Sequence, residues 1–181
     1  MTAQLPTHEL LILSDSHGHT RNLREILARQ LKKPDMVLFL GDGLRDLGCL
    51  GLQEKGISLL AVRGNCDSYT YPEPDDPDER ILTVGNVRIC MMHGHTRHVK
   101  GGWLPAAAHA ARQGADILLF GHTHDPIEEH LPAGTPLGGI PLEKPLTVFN
   151  PGTVGGGWGK DATFGTLTVR GESFLLGHGK L

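Results

Sequence analysis

Apolar residues in this chain gather in short runs, each followed by a polar, glycine-containing stretch. The first run, Leu10-Leu11-Ile12-Leu13, ends at Ser14-Asp15-Ser16-His17-Gly18. An uninterrupted run of that length predicts a buried strand feeding a polar loop. Thr20 is placed to cap a helix over Arg21 to Lys32, where Leu23, Ile26, Leu27 and Leu31 recur at helical spacing, and Pro34-Asp35 stops it. Met36 to Leu40 predicts a second strand ending in Gly41-Asp42-Gly43, and a short helix follows near Arg45 to Glu54. Ile57 to Val62 predicts a third strand, ending at Arg63-Gly64-Asn65-Cys66-Asp67. Strands and helices alternating across short turns point to a parallel sheet covered by helices. Ligands of such sheets collect beyond the carboxyl ends of the strands.

The second half is more broken. Residues 68–79, with Pro72, Pro74 and Pro77, read as a loop. Arg80 to Val84 and Val87 to Met92 flank Gly85-Asn86, a hairpin signal, and the second of these strands runs into His93-Gly94-His95. Leu104 to Arg112 is alanine-rich and helical, with Pro105 tolerated in its first turn and Gly114 at its end. Asp116 to Phe120 is a further buried strand, leading to Gly121-His122-Thr123-His124. Residues 125–145 are rich in Pro and Gly and have room for one short strand. Leu146 to Phe149 ends in Asn150-Pro151-Gly152-Thr153, and Phe164 to Arg170 with Ser173 to Leu176 predicts a final hairpin around Gly171-Glu172. No repeat or linker interrupts the 181 residues, so one domain is expected.

Composition narrows the function classes. Hydrophobic residues at 39% and charged residues at 20% are those of a globular chain with its own core. A net charge of −3 without any long run of Lys or Arg argues against a nucleic-acid duplex as standing partner and leaves a nucleotide open. Three cysteines with no CxxC pair speak against a disulfide framework or a thiolate zinc site and for a reducing compartment. The N-terminus lacks the pattern of a signal peptide and the apolar runs are far too short to span a membrane, so a cytoplasmic location is expected.

Five predicted strand ends carry ligand-type residues: Asp15-x-His17, Gly41-Asp42, Gly64-Asn65, His93-Gly-His95 and Gly121-His122-x-His124. Singly, each has a plain structural reading. Asp15 suits a helix cap, Asp42 a turn, Asn65 a left-handed turn, and a lone histidine a solvated surface. In an extended segment His122 and His124 share one face. The coincidence of all five at the edge where an α/β fold gathers its active site points to a metal centre. The neighbouring glycines permit backbone to approach it closely.

In this order the series resembles the calcineurin-like metallophosphoesterase superfamily, from Asp15 to the Asn150-Pro-Gly turn. The short length and the Gly64-Asn65-Cys66-Asp67 motif are most similar to small bacterial and archaeal phosphodiesterases of the YfcE type. The resemblance implies an α/β sandwich of two mixed β-sheets flanked by helices. It implies that Asp15, His17 and His124 hold one divalent cation, that Asn65, His93 and His122 hold a second, and that Asp42 bridges them. Asp42, Asn65 and His93 are thereby candidate catalytic residues. Such a ligand set suits Mn²⁺, Fe, Co²⁺, Ni²⁺ or Zn²⁺ better than Ca²⁺, with Mn²⁺ the first choice. Two cations roughly 3.5–4 Å apart would activate water for in-line attack on a phosphate ester.

One departure matters. Many members of the superfamily carry histidine where this chain has Cys66, and a thiol is a poor general acid, so diesters and substrates with good leaving groups are favoured over monoesters. A packing role for Cys66 stays open beside the chemical one. His95 competes with His93 as ligand, with His93 preferred by motif position. His19, His98 and His109 have no motif support. Asp67 is either an orienting hydrogen-bond partner or a turn residue. Trp103 and Trp158 either pack or stack on a base. Rival readings are a protein-interaction scaffold of the same fold, which a eukaryotic retromer subunit resembles, and a nucleotide or dinucleoside polyphosphate hydrolase. A small phosphate ester is the expected partner, with a homodimer as the expected assembly.

Overall fold

A computed structural model describes residues 5–67, 76–157 and 159–181. Trp158 and most of the loop expected over 68–79 lie outside the described residues.

Two five-stranded sheets form the centre of the molecule. In the first, β1 (Thr7–Leu13), β2 (Met36–Phe39) and β3 (Ser58–Ala61) run parallel, and β11 (Thr163–Arg170) and β12 (Ser173–Lys180) extend it antiparallel beyond β1. The second has the order β4-β5-β6-β10-β7, from β4 (Glu79–Val84), β5 (Val87–Met92), β6 (Ile117–Phe120), β10 (Leu146–Pro151) and β7 (Pro126–Leu131). Its middle pairs β5–β6 and β6–β10 are parallel and its outer pairs antiparallel. A small hairpin, β8 (Pro136–Leu137) and β9 (Ile140–Pro141), stands apart. Both main sheets are mixed, as the resemblance implied.

Strand side chains alternate between faces, and this builds three cores from two sheets. Leu10 and Ile12 of β1 point into the layer between the sheets with Leu38, Ile89, Met91, Leu119, Phe149 and Leu167. Leu11 and Leu13 point outward to meet Leu23 and Ile26 of α1 (Thr20–Ala28) and Leu44, Leu47 and Leu50 of a 3₁₀ helix. On the far side, Cys90, Met92, Leu118 and Phe120 pack on Ala106, Ala107 and Ala110 of α2 (Leu104–Arg112). Uninterrupted runs such as Leu10 to Leu13 are therefore apolar because both strand faces are covered. Each fully buried Leu or Ile contributes about 1.5–3 kcal/mol.

Several expected boundaries move. α1 stops at Ala28 and Leu31 is fully exposed, because the apolar face that packs on the sheet is complete at Leu23, Ile26 and Leu27. Thr20 lies inside that helix; His19 occupies the capping position and makes no side-chain cap. The segment expected as a helix near Arg45 to Glu54 is a 3₁₀ helix, Leu44–Leu50, closed by Gly51 at φ +55°. Residues 125–145 hold three strands rather than one. β12 runs four residues past Leu176 through Gly177-His178-Gly179-Lys180. Gly179 is required there: a Cβ would lie 2.2 Å from Cζ of Phe164.

Candidate functional site

The carboxyl ends of β1, β2 and β3 and of β5, β6 and β10 meet at one rim of the sandwich. Backbone bonds lace the loops together there: Asp15 N–H donates to Gly41 O at 2.9 Å, His17 N–H to Asp42 O at 3.2 Å, and Gly121 N–H to His93 O at 3.1 Å. The two sheets are joined at this rim by His122 N–H, which donates to Asp15 Oδ2 at 3.1 Å. Two glycines of the motifs permit this closeness. A Cβ on Gly64 would stand 2.1 Å from Asp42 Oδ1, and one on Gly121 would stand 2.1 Å from Ser14 Oγ.

All seven candidate ligands converge. The ligand atoms of Asp15, His17 and His124 fall within 4.8 Å of one another, and so do those of Asp42, His93 and His122. In the first group His17 Nε2 is 3.3 Å from His124 Nε2, and His124 Nε2 is 3.1 Å from Asp15 Oδ1. In the second, His93 Nε2 is 3.1 Å from Asn65 Oδ1, 3.1 Å from His122 Nδ1 and 3.4 Å from Asp42 Oδ2. Asp42 Oδ2 belongs to both, being also 3.8 Å from His17 Nε2. Asp42 Oδ1 turns away and accepts from Cys66 N–H at 2.7 Å.

These distances fit cation binding. Ligands at about 2.1 Å from a common metal stand roughly 3.0–3.4 Å from each other in tetrahedral or octahedral arrangements, and the separations within each group fall in or near that range. His93 Nδ1 donates to Leu40 O at 2.7 Å, which turns the Nε2 lone pair toward Asn65 Oδ1 and His122 Nδ1. Asp15 Oδ1 is buried without a hydrogen-bond partner. Buried carboxylates are stable when paired or bound to metal, and a cation at each group meets that need.

Charge is tuned accordingly. Burial pushes the His93 pKa down, and the Asp42 and Asp15 carboxylates overcome this and hold it above its ordinary value. Burial likewise opposes ionisation of Asp42, but the hydrogen bond and charge of His93 pull its pKa well below the usual range. Burial, then the charges of His93 and Lys100, lower His122 to about 4. Burial and the nearby Asp42 push the Cys66 thiol up to about 11, so it is neutral near pH 7. Cys66 is exposed, with Asn65 Nδ2 donating to its Sγ at 3.2 Å, so it faces the site and does not pack behind it.

The backbone of the site is strained. Among the described residues six non-glycine positions have positive φ: Asp15, His17, Asp42, His98, His122 and His124. Five of them are candidate ligands. Each such position costs about 1 kcal/mol or more and persists only where neighbours hold it. Asp67 holds Asp42. Its Oδ2 accepts from Asp42 N–H at 2.8 Å and Gly64 N–H at 2.9 Å, and its Oδ1 from Gly43 and Leu44 N–H, both at 2.9 Å. Asn150 holds the His122–His124 turn, donating from Nδ2 to Gly121 O at 3.0 Å and Thr123 Oγ1 at 3.1 Å. Thr153 Oγ1 donates to Asp15 O at 2.9 Å, and Asp46 accepts from Gly18 N–H at 2.8 Å.

Of the remaining sequence candidates, His95 falls outside both ligand groups, its ring centroid 5.4 Å from that of His93 and 6.2 Å from that of His122. His19 bonds to Ser16 O at 3.0 Å and His109 to Glu79 Oε1 at 2.6 Å, both structural contacts. Trp103 is half-buried against the α2 core. Asp67 proves to be an orienting partner, through the N–H groups of Asp42, Gly43, Leu44 and Gly64. Asn150 served in the sequence only to mark the end of the resemblance. Thr153 and Asp46 carried no signal of their own.

Known proteins resemble this chain in sequence and in fold. The family model described as "Calcineurin-like phosphoesterase superfamily domain" matches residues 9–172. A probable metallophosphoesterase of Bacillus subtilis, YsnB, is 34% identical over 115 residues, which cover 64% of this chain and 63% of that protein. The match thus spans a little under two thirds of that relative. A conserved uncharacterized protein of Streptococcus pneumoniae, a predicted phosphoesterase, superposes with a TM-score of 0.71 at 22% identity, over 97% of this chain and 91% of that one. Vacuolar Protein Sorting 29 of Cryptosporidium parvum superposes with a TM-score of 0.67 at 19% identity, over 97% and 98%. The two structural likenesses establish the shared fold.

Proposed function

Because this chain belongs to the calcineurin-like phosphoesterase superfamily, we propose that it is a binuclear metal-dependent phosphodiesterase acting on a small phosphate ester, nucleotides among them. The observation that carries the reading is Asp42 Oδ2, which faces the Asp15–His17–His124 group and the Asn65–His93–His122 group at once. Asp15, His17 and His124 would hold one divalent cation and Asn65, His93 and His122 the other, with Asp42 between them. When bound, the pair supplies an activated water and positive charge against the phosphoryl oxygens.

The chain's own groups set the rest of the chemistry. Leu40 O fixes the His93 tautomer so that Nε2 faces the site. Asn65 presents its oxygen to the cluster and donates from Nδ2 to Cys66 Sγ, which leaves its second amide N–H for a phosphoryl oxygen. Cys66, a neutral thiol, stands at the position after Asn65 where many members of the superfamily carry a proton-donating histidine. It gives little help to a poor leaving group, which favours diesters over monoesters.

The test compares bis-p-nitrophenyl phosphate with p-nitrophenyl phosphate on chelator-treated protein after Mn²⁺ is restored. The reading predicts metal-dependent turnover that favours the diester. It also predicts a loss of at least about a hundredfold in Asp42→Asn, whose neutral amide is a poor bridge between cations. Metal-independent turnover or an active Asp42→Asn would refute it. Absence of turnover with Mn²⁺, Fe²⁺, Co²⁺, Ni²⁺ and Zn²⁺ would favour the scaffold reading.

A further inference from the structure

Cys66 is the one exposed thiol of three. Cys49 is half-buried, its Sγ donating to Thr20 O at 3.7 Å, and Cys90 is buried against α2. The turn that carries Cys66 is pinned at three points. Asp67 N–H donates to Gly64 O at 3.3 Å, Asp67 Oδ2 accepts from Gly64 N–H at 2.9 Å, and Cys66 N–H donates to Asp42 Oδ1 at 2.7 Å. The Cys66 Sγ itself accepts from Asn65 Nδ2 at 3.2 Å.

This sulfur lies among the candidate ligands. The ligand atoms of His17, Asp42 and Cys66 are all within 4.8 Å of one another. His17 thereby belongs to two groups, this one and that of Asp15 and His124. A second feature points to a cation at the same place. Asp15 Oδ1, on a fully buried side chain, has no hydrogen-bond partner and stands 3.8 Å from His17 Nε2 and 3.1 Å from His124 Nε2. A cation that satisfies Asp15 beside His17 has the Cys66 sulfur among the ligand atoms around it.

Softness decides which cations use that sulfur. Mn²⁺ favours oxygen ligands, whereas Zn²⁺ takes thiolate readily. Without a cation, burial and the Asp42 charge keep the thiol protonated. A bound cation reverses that field, and a coordinating thiol loses its proton outright. Asn65 Nδ2 then donates to a thiolate, which is a stronger acceptor than a thiol.

We propose that Cys66 is a metal-dependent ligand: its sulfur coordinates Zn²⁺ held by His17 and Asp42, and stays a free thiol beside Mn²⁺. A zinc–sulfur bond forms, the S–H bond breaks, the proton passes to solvent, and no electron is transferred. The thiolate adds a negative charge and takes a coordination position that catalytic centres leave to water. Cys66 therefore discriminates between metals, with Zn²⁺ held tightly in a less active form. The assignment rests on the metal centre of the reading above.

Absorption spectroscopy tests it without turnover, on chelator-treated protein titrated with Co²⁺ as a coloured stand-in for Zn²⁺. The visible bands of bound Co²⁺ report the ligand groups, and a near-ultraviolet sulfur-to-cobalt band reports the thiolate. Both are expected in the wild type, and Cys66→Ser is expected to keep the visible bands and lose the near-ultraviolet one. Cys66 is exposed, so the change leaves the core intact. In competition with a metal-binding dye, Cys66→Ser is expected to weaken Zn²⁺ binding at least about tenfold and to leave Mn²⁺ binding within about twofold of wild type. Visible bands without the sulfur band, a sulfur band that survives in Cys66→Ser, or equal losses of Zn²⁺ and Mn²⁺ affinity would overturn Cys66 as a ligand and leave the metal centre standing. Absence of every band would overturn the metal centre and this ligand with it.

Discussion

Replacing Asp67 by Asn tests how the site is held open for its ligands. The wild-type carboxylate accepts four backbone N–H bonds of 2.8–2.9 Å, two on each oxygen, from Asp42, Gly43, Leu44 and Gly64. Asparagine has the same shape, so no cavity forms, but one oxygen becomes an NH₂ group. Whichever way the amide turns, two N–H donors then face another donor. Charge-assisted bonds of this kind contribute about 1.5 kcal/mol each, so two lost bonds predict a destabilisation of about 3 kcal/mol. The half-buried position keeps the figure at the low end of that range. Urea unfolding of the chelator-treated proteins is the assay. With a slope of about 2 kcal/mol/M, the midpoint falls by about 1.5 M. The same bonds hold Asp42 at φ +58°, so Mn²⁺ affinity falls as well. A midpoint shift below about 0.5 M, or unchanged Mn²⁺ affinity, would refute the argument that Asp67 enforces the Asp42 conformation.

Asn150→Ala removes the donors to Gly121 O and Thr123 Oγ1 and the acceptor of the buried Gly152 N–H, and is expected to cost about 2–4 kcal/mol in the same unfolding assay; a loss under about 1 kcal/mol would contradict the bracing role. Cys66→His is expected to raise p-nitrophenyl phosphate turnover more than bis-p-nitrophenyl phosphate turnover, because it returns a proton donor to the site; an equal change in both, measured by steady-state kinetics, would count against that account of Cys66. In metal-free protein, His122 is lowered from 6.5 to about 4, so the unfolded chain holds its proton more tightly and the stabilisation present above pH 6.5 is lost as pH falls toward 4. His93, raised above 6.5, acts in the opposite sense and weakens stability as pH climbs through its folded value. Melting temperature should therefore peak near pH 6.5, and a profile flat from pH 4 to 6.5 would disagree.

Legibility differed between the ligands and their supports. Leu10 to Leu13, Met36 to Leu40 and Asp116 to Phe120 announced buried strands because both faces of each are covered. The ligand motifs at their ends were legible because a metal site needs specific side-chain chemistry in a few loops. The supports were harder to see. Asn150 acts on Gly121 and Thr123 across 29 and 27 residues of sequence, and Thr153 on Asp15 across 138. Nothing in local pattern reports such contacts. β12 went unread past Leu176 because Gly177 and Gly179 look like strand breakers, whereas the Phe164 ring occupies the space a side chain would need. The end of α1 was misplaced for a tertiary reason as well. Leu31 fits the helical period, but the core that α1 covers ends with Leu27 and leaves Leu31 exposed.

The most direct test of the binuclear site is a titration of the chelator-treated protein with Mn²⁺ while hydrolysis of bis-p-nitrophenyl phosphate is followed. Two groups of ligands sharing Asp42 predict activity that climbs until two equivalents per chain are bound and then levels. Full activity at one equivalent, or no activity at any loading, would contradict the account.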